Sequence, residues 1–207
     1  TYNRDAPVVY PPVDTEFFTP EPGAGRDYFL LVSRFVPYKR VDLAIEAFNS
    51  RDETLLVVGD GPQEKRLKRL AAGNVEFIGG VTDDELRTLY RNCRALVFPG
   101  EEDFGLTPVE CMACGRPVVA YGRGGTTETV VDGRTGVLFT DHTPSGLDQA
   151  LDRFARLQLD PADCRDQAKK FDERIFLAKI RAAADYLTGN HAPEKAPAPP
   201  AISVKPW

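Results

Sequence analysis

The feature that most constrains the fold of this 207-residue chain is a repeated alternation of short apolar segments with amphipathic helical segments. Apolar residues recur at helical spacing after the first strand, at Val41, Ile45 and Phe48. Such repeats predict an α/β, Rossmann-like fold, a doubly wound parallel sheet of about six strands with helices on both faces. The predicted strands are residues 28–33, 54–58, 75–78, 95–98, 117–121 and 136–139.

The length and the hydrophobic content of 42% suit one globular domain, which we place at residues 28–189. Residues 1–27 precede its first strand. Residues 190–207 form a Pro/Ala-rich tail that is typical of disordered segments. Because the chain begins with Thr1 rather than Met, we expect a fragment or a processed product.

Composition and motifs argue against several classes of protein. A net charge of −5 and a pI near 5.2 disfavour a nucleic-acid partner. No apolar run approaches the roughly 20 residues that span a bilayer, and we expect no signal peptide. Cys111 and Cys114 form a CxxC, but there is no second pair and His142 and His191 lie far away in sequence, which favours packing over a metal. We therefore expect a reducing, cytoplasmic location.

Polar loops follow four of the predicted strands. In a doubly wound sheet, ligands bind at the carboxyl ends of the strands, which meet at one edge. The loops contain Arg34 and Lys39 after the first strand, then residues 59–62, 102–106 and 122–126 after the second, fourth and fifth. This convergence predicts a ligand site at that edge.

Two glutamates, Glu102 and Glu110, have seven residues between them around the loop that follows the fourth strand. The first is on the loop and the second is on the first turn of a predicted helix, whose N-terminal N–H groups can bind an anion. A ligand with both phosphate and hydroxyls, such as a sugar nucleotide, suits this arrangement. Alternatively, Thr107 and Glu110 form a capping box with Pro108 at the first helical position, and Glu102 is a solvated loop charge.

Arg34 and Lys39 suit a diphosphate, because Arg can bind it bidentately and Lys acts as a compact charge. The alternative is a solvated basic patch that includes Arg40. Gly59 opens a Gly-Asp-Gly-Pro segment, which lacks a complete phosphate-loop pattern and is also explained as a turn. Gly124 and Gly125 allow either a tight turn or close approach to a sugar. The chain contains no Asp-x-Asp motif, so we expect no metal on the diphosphate.

Five segments that span about residues 28 to 140 together resemble a known family. They are SRFVPYKRVDLAIEAF, LLVVGDGP, VEFIGGVTDDEL, RALVFPGEEDFGLTPVECMACGRPVVA and GGTTETVVDGRTGVLF. In this order they resemble the C-terminal, nucleotide-binding half of GT-B fold retaining enzymes of glycosyltransferase family 4. The sequences of these segments are most similar to those of mannosyltransferases of surface-polysaccharide assembly.

The resemblance implies a role for each matching residue. Arg34 and Lys39 would stabilise the leaving diphosphate, and Glu102 would contact a hydroxyl of the transferred sugar, so these three are the expected catalytic residues. Glu110 would accept hydrogen bonds from the ribose. The other expected donor-binding positions, through backbone amides, the nucleotide base or a close turn, are Gly59, Val81, Phe104, Gly105, Leu106 and Thr107.

The resemblance also implies partners. The donor would be a nucleotide sugar, with GDP-mannose as the expected one, and no cofactor or metal is expected. A glycan or lipid-linked acceptor would bind an N-terminal domain that the chain lacks, with residues 1–27 as the connector. The chain would then bind donor without efficient transfer. Peripheral association of the full-length enzyme with the inner face of a membrane stays open.

Two other functions remain as alternatives, a non-catalytic nucleotide-binding module and a GT-B fold sugar-nucleotide epimerase or phosphorylase. A Rossmann dehydrogenase is disfavoured, because the first strand–helix junction carries Ser-Arg-Phe-Val-Pro-Tyr-Lys instead of a glycine fingerprint.

Overall fold

A six-stranded, wholly parallel sheet forms the centre of the protein in the computed structural model, which describes residues 8–21, 23 and 27–188. The strand order is β3-β2-β1-β4-β5-β6, and each predicted strand is found within one residue of its expected ends. The strands are β1 Tyr28–Val32, β2 Thr54–Val58, β3 Val75–Gly79, β4 Leu96–Phe98, β5 Val118–Tyr121 and β6 Gly136–Phe139.

Helices follow the strands, as the alternating pattern predicted. Thr82 and Glu85 form a capping box at the start of the third helix, with the Thr-x-x-Glu spacing that is typical of such starts. Two 3-10 turns, Pro37–Lys39 and Lys169–Phe171, add to the α-helices. The described helices are α1 Val41–Phe48, α2 Glu64–Leu70, α3 Asp83–Asn92, α4 Leu106–Ala113, α5 Thr126–Thr129, α6 Pro144–Ala155, α7 Pro161–Ala168 and α8 Glu173–Thr188.

The sheet separates two hydrophobic cores, because successive strand residues point to opposite faces. Phe29 and Leu31 pack with α1, α2 and α6, whereas Leu30 packs with α3, α4 and α7. Both faces are therefore covered, as predicted.

The four cysteines lie in the second core. All are buried and free, and the Cys93 and Cys111 sulfurs are 4.0 Å apart. Burial raises the pKa of the Cys111 thiol well above its usual range. The predicted packing role of Cys111 and Cys114 is confirmed.

The first described residues pack against the end of the domain. Val13 donates to the Phe171 carbonyl and accepts from Glu173, and Thr15 Oγ1 donates to Asp172 at 2.5 Å. Arg165 donates to the carbonyl oxygen of Thr15 at 2.6 Å. The predicted tail 190–207 and much of the predicted connector, residues 1–7, 22 and 24–26, lie outside the described residues.

Asp172 gives the fold a testable pH dependence. Hydrogen bonds from Arg174 and Thr15 lower the pKa of Asp172 to about 2, from an ordinary value of about 3.9. Its carboxylate therefore stabilises the fold above about pH 4, and this contribution disappears as the pH falls through about 2. We expect Asp172→Asn to cost on the order of 1–2 kcal/mol at pH 7 and much less near pH 2.5, measured by urea unfolding. A cost that is the same at both pH values would contradict this account.

Candidate functional site

A cleft of about 940 Å³ opens at the carboxyl edge of the sheet. It lies over the point where β1 and β4 are neighbours and the chain turns in opposite directions, which is the usual ligand crevice of such sheets. Its lining includes all of the predicted site residues except Glu110: Arg34, Lys39, Gly59, Val81, Glu102, Phe104, Gly105, Leu106 and Thr107.

The loop after β1 carries the cations of the cleft. Arg34 is exposed, and within the described part of the chain no carboxylate pairs with its guanidinium. Lys39 ends the first 3-10 turn. Arg40 adopts a left-handed conformation with φ 51° and pairs with Asp42 on α1. Arg40 does not line the cleft, so the three cations do not form one basic patch.

An ion pair joins Lys39 to Glu102 across the cleft floor. Both side chains are largely shielded, with exposed fractions of 17% and 23%. The pair connects the loop after β1 with the loop after β4, on either side of the strand reversal. Glu102 is therefore not a solvated loop charge, and the alternative interpretation of this residue is wrong.

The loop around Glu102 is held by the loop after β5. Gly125 N–H donates to the Glu102 carbonyl at 2.7 Å. A Cβ atom added at Gly124 would overlap the Glu102 carbonyl oxygen, and one at Gly125 would overlap the Cα of Phe104. The two glycines therefore allow a tight contact between two loops, which explains them without a sugar.

Phe104 contributes its backbone to the cleft and its side chain to the core. The ring is buried, stacks on Tyr10 at 5.7 Å and meets Phe171 edge-on at 5.4 Å. This aromatic cluster immobilises the chain just before α4. The backbone amides that follow are consequently held in fixed positions.

Helix α4 begins at Leu106, after Gly105 with φ 81°, and no side chain caps it. A helix start leaves the N–H groups of its first residues without intrahelical acceptors, here those of Leu106 and Thr107. Pro108 is the third helical residue instead of the first, and Thr107 lies inside the helix. The alternative interpretation of Thr107 and Glu110 as a capping box is therefore wrong, and the free amides lie at the cleft.

Glu110 does not form a capping box with Thr107 and has a different partner. The hydroxyl of buried Tyr90 on α3 donates to Glu110 Oε2 at 2.9 Å. Burial, aided by Asp83, raises the pKa of Glu110 against the opposing effect of that hydrogen bond. The residue lies one turn beyond Thr107 on the same face of α4, half-buried behind the cleft lining.

Gly59 serves a close approach between the loops after β1 and β2. Its φ is +125°, and an added Cβ atom would overlap the Ser33 carbonyl oxygen. Phe35 N–H donates to the Asp60 carbonyl at 2.7 Å, which ties the same loops together. The glycine also lines the cleft, so its packing role and its predicted donor-binding role are compatible.

Two residues at this edge, Tyr38 and His142, were not predicted from the sequence to belong to the site. Tyr38 is 61% exposed at the rim of the cleft, and its ring lies 5.2 Å from the Lys39 ammonium. Its position directly before Lys39 in the sequence could have indicated a place at the cleft. His142 donates from Nε2 to the Pro99 carbonyl at 2.8 Å, and nothing in its sequence spacing connects it with this loop.

Among the described residues, no group of three or more His, Cys, Asp or Glu side chains has an arrangement that could hold a metal ion. Likewise, none of the described helices is both long and apolar enough to cross a membrane.

The contact at Gly59 generates a prediction for stability. Gly59→Ala would strain the backbone and push the β1 loop away, so we expect a loss of at least about 2 kcal/mol in the free energy of unfolding. Gly73→Ala is the matched control, because an added Cβ atom there meets nothing within 4 Å. Urea unfolding of both variants measures the difference. Equal effects of the two substitutions would refute the close approach.

The sequence of this chain is similar to those of known proteins. The sequence profile of the family described as Glycosyl transferases group 1 matches residues 13–171. An uncharacterized glycosyltransferase of Methanocaldococcus jannaschii is 34% identical over 149 residues, which cover 70% of this chain and 42% of the relative. A D-inositol 3-phosphate glycosyltransferase of Frankia alni is 36% identical over 180 residues, 72% of this chain and 44% of that protein. The chain thus spans about two fifths of the length of these relatives.

Solved structures share the fold. Sucrose-phosphate synthase from Thermosynechococcus elongatus matches with a TM-score of 0.76 at 23% identity, over 88% of this chain and 53% of that one. The Anabaena protein HepE in complex with UDP-glucose matches with a TM-score of 0.75 at 24% identity, over 88% of this chain and 57% of its own. The sheet and its helices have the Rossmann-like architecture of GT-B glycosyltransferases. Together with the match over residues 13–171, this places the chain in the family of group 1 glycosyl transferases.

Proposed function

We propose that this chain is the donor-binding, C-terminal half of a retaining GT-B enzyme of glycosyltransferase family 4. The observation that carries the proposal is the composition of the cleft at the strand reversal. Two cations, two free helix-terminal amides and the Lys39-paired carboxylate of Glu102 face the same volume, and Asp60, Glu101 and Asp103 also line it. A nucleotide sugar requires that combination, because it presents a diphosphate next to a ring of hydroxyls.

The diphosphate is assigned to Arg34 and Lys39. Arg34 has no carboxylate partner among the described residues, so its guanidinium can bind phosphate oxygens bidentately. Lys39 is oriented by Glu102 and adds a second positive charge nearby. As the bond between the sugar and the diphosphate breaks, negative charge grows on the leaving group, and these two cations stabilise it.

The sugar is assigned to Glu102 and to the start of α4. Lys39 binds Glu102 at Oε1, which leaves Oε2 able to accept a hydrogen bond from a sugar hydroxyl. The amides of Leu106 and Thr107 donate to phosphate or hydroxyl oxygens. Glu110 Oε2 is held by Tyr90, and its other oxygen is assigned to the ribose.

GDP-mannose is the proposed donor, and the names of two relatives support it. One is a GDP-mannose-dependent mannosyltransferase of Mycolicibacterium smegmatis, 33% identical over 157 residues. The other is an alpha-1,3/1,6-mannosyltransferase of Dictyostelium discoideum, 31% identical over 155 residues. The base would lie against Val81, and no metal would be needed, because the two cations serve the diphosphate.

The acceptor is proposed to bind elsewhere. A glycan or lipid-linked acceptor would occupy an N-terminal domain, and transfer would occur between the two halves. This chain alone would then bind donor without efficient transfer. The proposed location is the cytoplasm, with peripheral association of the full-length enzyme at the inner face of the membrane as an option.

Calorimetric titration of the chain with GDP, UDP and ADP tests donor binding. We expect saturable binding of GDP that EDTA leaves unchanged, and at least about tenfold weaker binding by Arg34→Ala, because a charge-assisted hydrogen bond is lost. Arg69→Ala is the control, since it removes the same charge from the exposed surface of α2. A folded chain that binds none of the three nucleotides would refute the proposal, and preferential binding of UDP would move the donor to a uridine nucleotide.

Lys39 is tested in the chain joined to an acceptor domain. We expect Lys39→Ala to lower kcat by at least about 100-fold, the scale of losing one electrostatic group that acts in the transition state. Arg40→Asn should change kcat little, because Arg40 is turned toward Asp42 and Asn tolerates its left-handed backbone. Near-normal transfer by Lys39→Ala would show that Lys39 does not stabilise the leaving group.

A further inference from the structure

His142 lies between β6 and α6, at the same sheet edge as the cleft, and it is held rigidly. Thr143 caps α6 by accepting from Gly146 N–H at 3.1 Å, and its hydroxyl donates to Asp141 at 3.0 Å. The imidazole ring stacks on Tyr121, with centroids 3.8 Å apart and planes 9° apart. The capped helix and the buried end of β5 together fix the position of the ring.

The ring nitrogen Nε2 lies 2.8 Å from the Pro99 carbonyl oxygen. The ladder between β4 and β5 ends at Phe98, so this carbonyl is one residue past the last paired residue. Pro99 is itself buried, and a buried carbonyl without a partner is costly. A carbonyl can only accept, so Nε2 must carry a proton for the hydrogen bond to exist.

Pro99 begins the loop that carries Glu102. The next residue, Gly100, lies against the loop after β1, because an added Cβ atom would be 3.0 Å from the Lys39 Cα and 3.2 Å from the Lys39 carbonyl oxygen. Pro99 therefore directly precedes the residue at which the β4 loop meets Lys39. Glu102 lies three residues beyond Pro99 on the same loop.

We propose that His142 is a positioning residue, whose Nε2–H hydrogen bond to Pro99 holds residues 99–102 so that Glu102 stays opposite Lys39. His142 is not part of the cleft lining and touches no reacting group. It acts from the loop after β6, through the loop after β4. The expected effect on ligand binding rests on the proposed donor-binding function, whereas the expected effect on loop order does not.

Two substitutions separate the hydrogen bond from the stacking. His142→Phe keeps an aromatic ring against Tyr121 but removes the donor, and His142→Gln places an amide donor near the position of Nε2. We expect His142→Phe to speed hydrogen exchange of the Gly125 amide, which donates to the Glu102 carbonyl, by about tenfold and to weaken GDP binding by about the same factor. His142→Gln should recover most of both properties, and Arg69→Ala, at an exposed position on α2, serves as the control that changes neither.

Nitrogen-15 NMR of the unsubstituted chain tests the hydrogen bond directly. We expect the neutral form of the His142 ring to carry its proton on Nε2, with the His191→Phe spectrum identifying the signals. A proton on Nδ1 instead would overturn the inference, and this result is available even if His142→Phe does not fold.

The two proposals fail in different ways. If the chain does not bind any nucleotide, the donor-binding proposal fails, while the exchange rates and the tautomer still decide the role of His142. If GDP binds and His142→Phe leaves both affinity and exchange unchanged, the positioning role is wrong and the donor-binding proposal stands.

Discussion

The parallel pairing of β1 with β4 is the constraint on which the rest of the structure depends. Helix α1 follows β1 onto one face of the sheet and α4 follows β4 onto the other, so the two loops part at the strand ends. The crevice between them is a consequence of strand order alone. The Lys39–Glu102 ion pair spans this crevice and brings opposite charges to the place where the backbone leaves space.

The loops around the cleft support one another through close backbone contacts. The loop after β2 meets the β1 loop at Gly59, the β1 loop meets the β4 loop at Gly100, and the β5 loop meets the β4 loop at Gly125. His142 adds a contact from the loop after β6. Groups held in this way need little reorganisation when a ligand binds, which is the physical basis of electrostatic preorganisation.

The fold could be predicted closely from the sequence, because local patterns determine it. Apolar runs place all six strands to within a residue, and the capping box found at Thr82 and Glu85 follows a local Thr-x-x-Glu pattern. The edge that holds the site could also be predicted, since strand direction alone brings the loops together. Packing of Cys111 follows from its place in a buried helix.

The contacts that define the site could not be predicted in the same way, because they join distant parts of the chain. Glu110 matches a capping box in its spacing, yet its partner Tyr90 is 20 residues away on another helix. The Lys39–Glu102 pair joins residues 63 positions apart, and the contact of His142 with Pro99 spans 43. Such pairings depend on tertiary packing, which no local pattern in a single sequence specifies.

The central claim is that a nucleoside diphosphate binds between the β1 loop and the start of α4. Titration of the nitrogen-15-labelled chain with GDP, followed by amide chemical shifts, tests it most directly. The account predicts that the largest shifts fall on the loops after β1 and β4 and on the first turn of α4, with Leu106 and Thr107 among them. Saturable shifts confined to another surface, with this edge of the sheet unchanged, would contradict it.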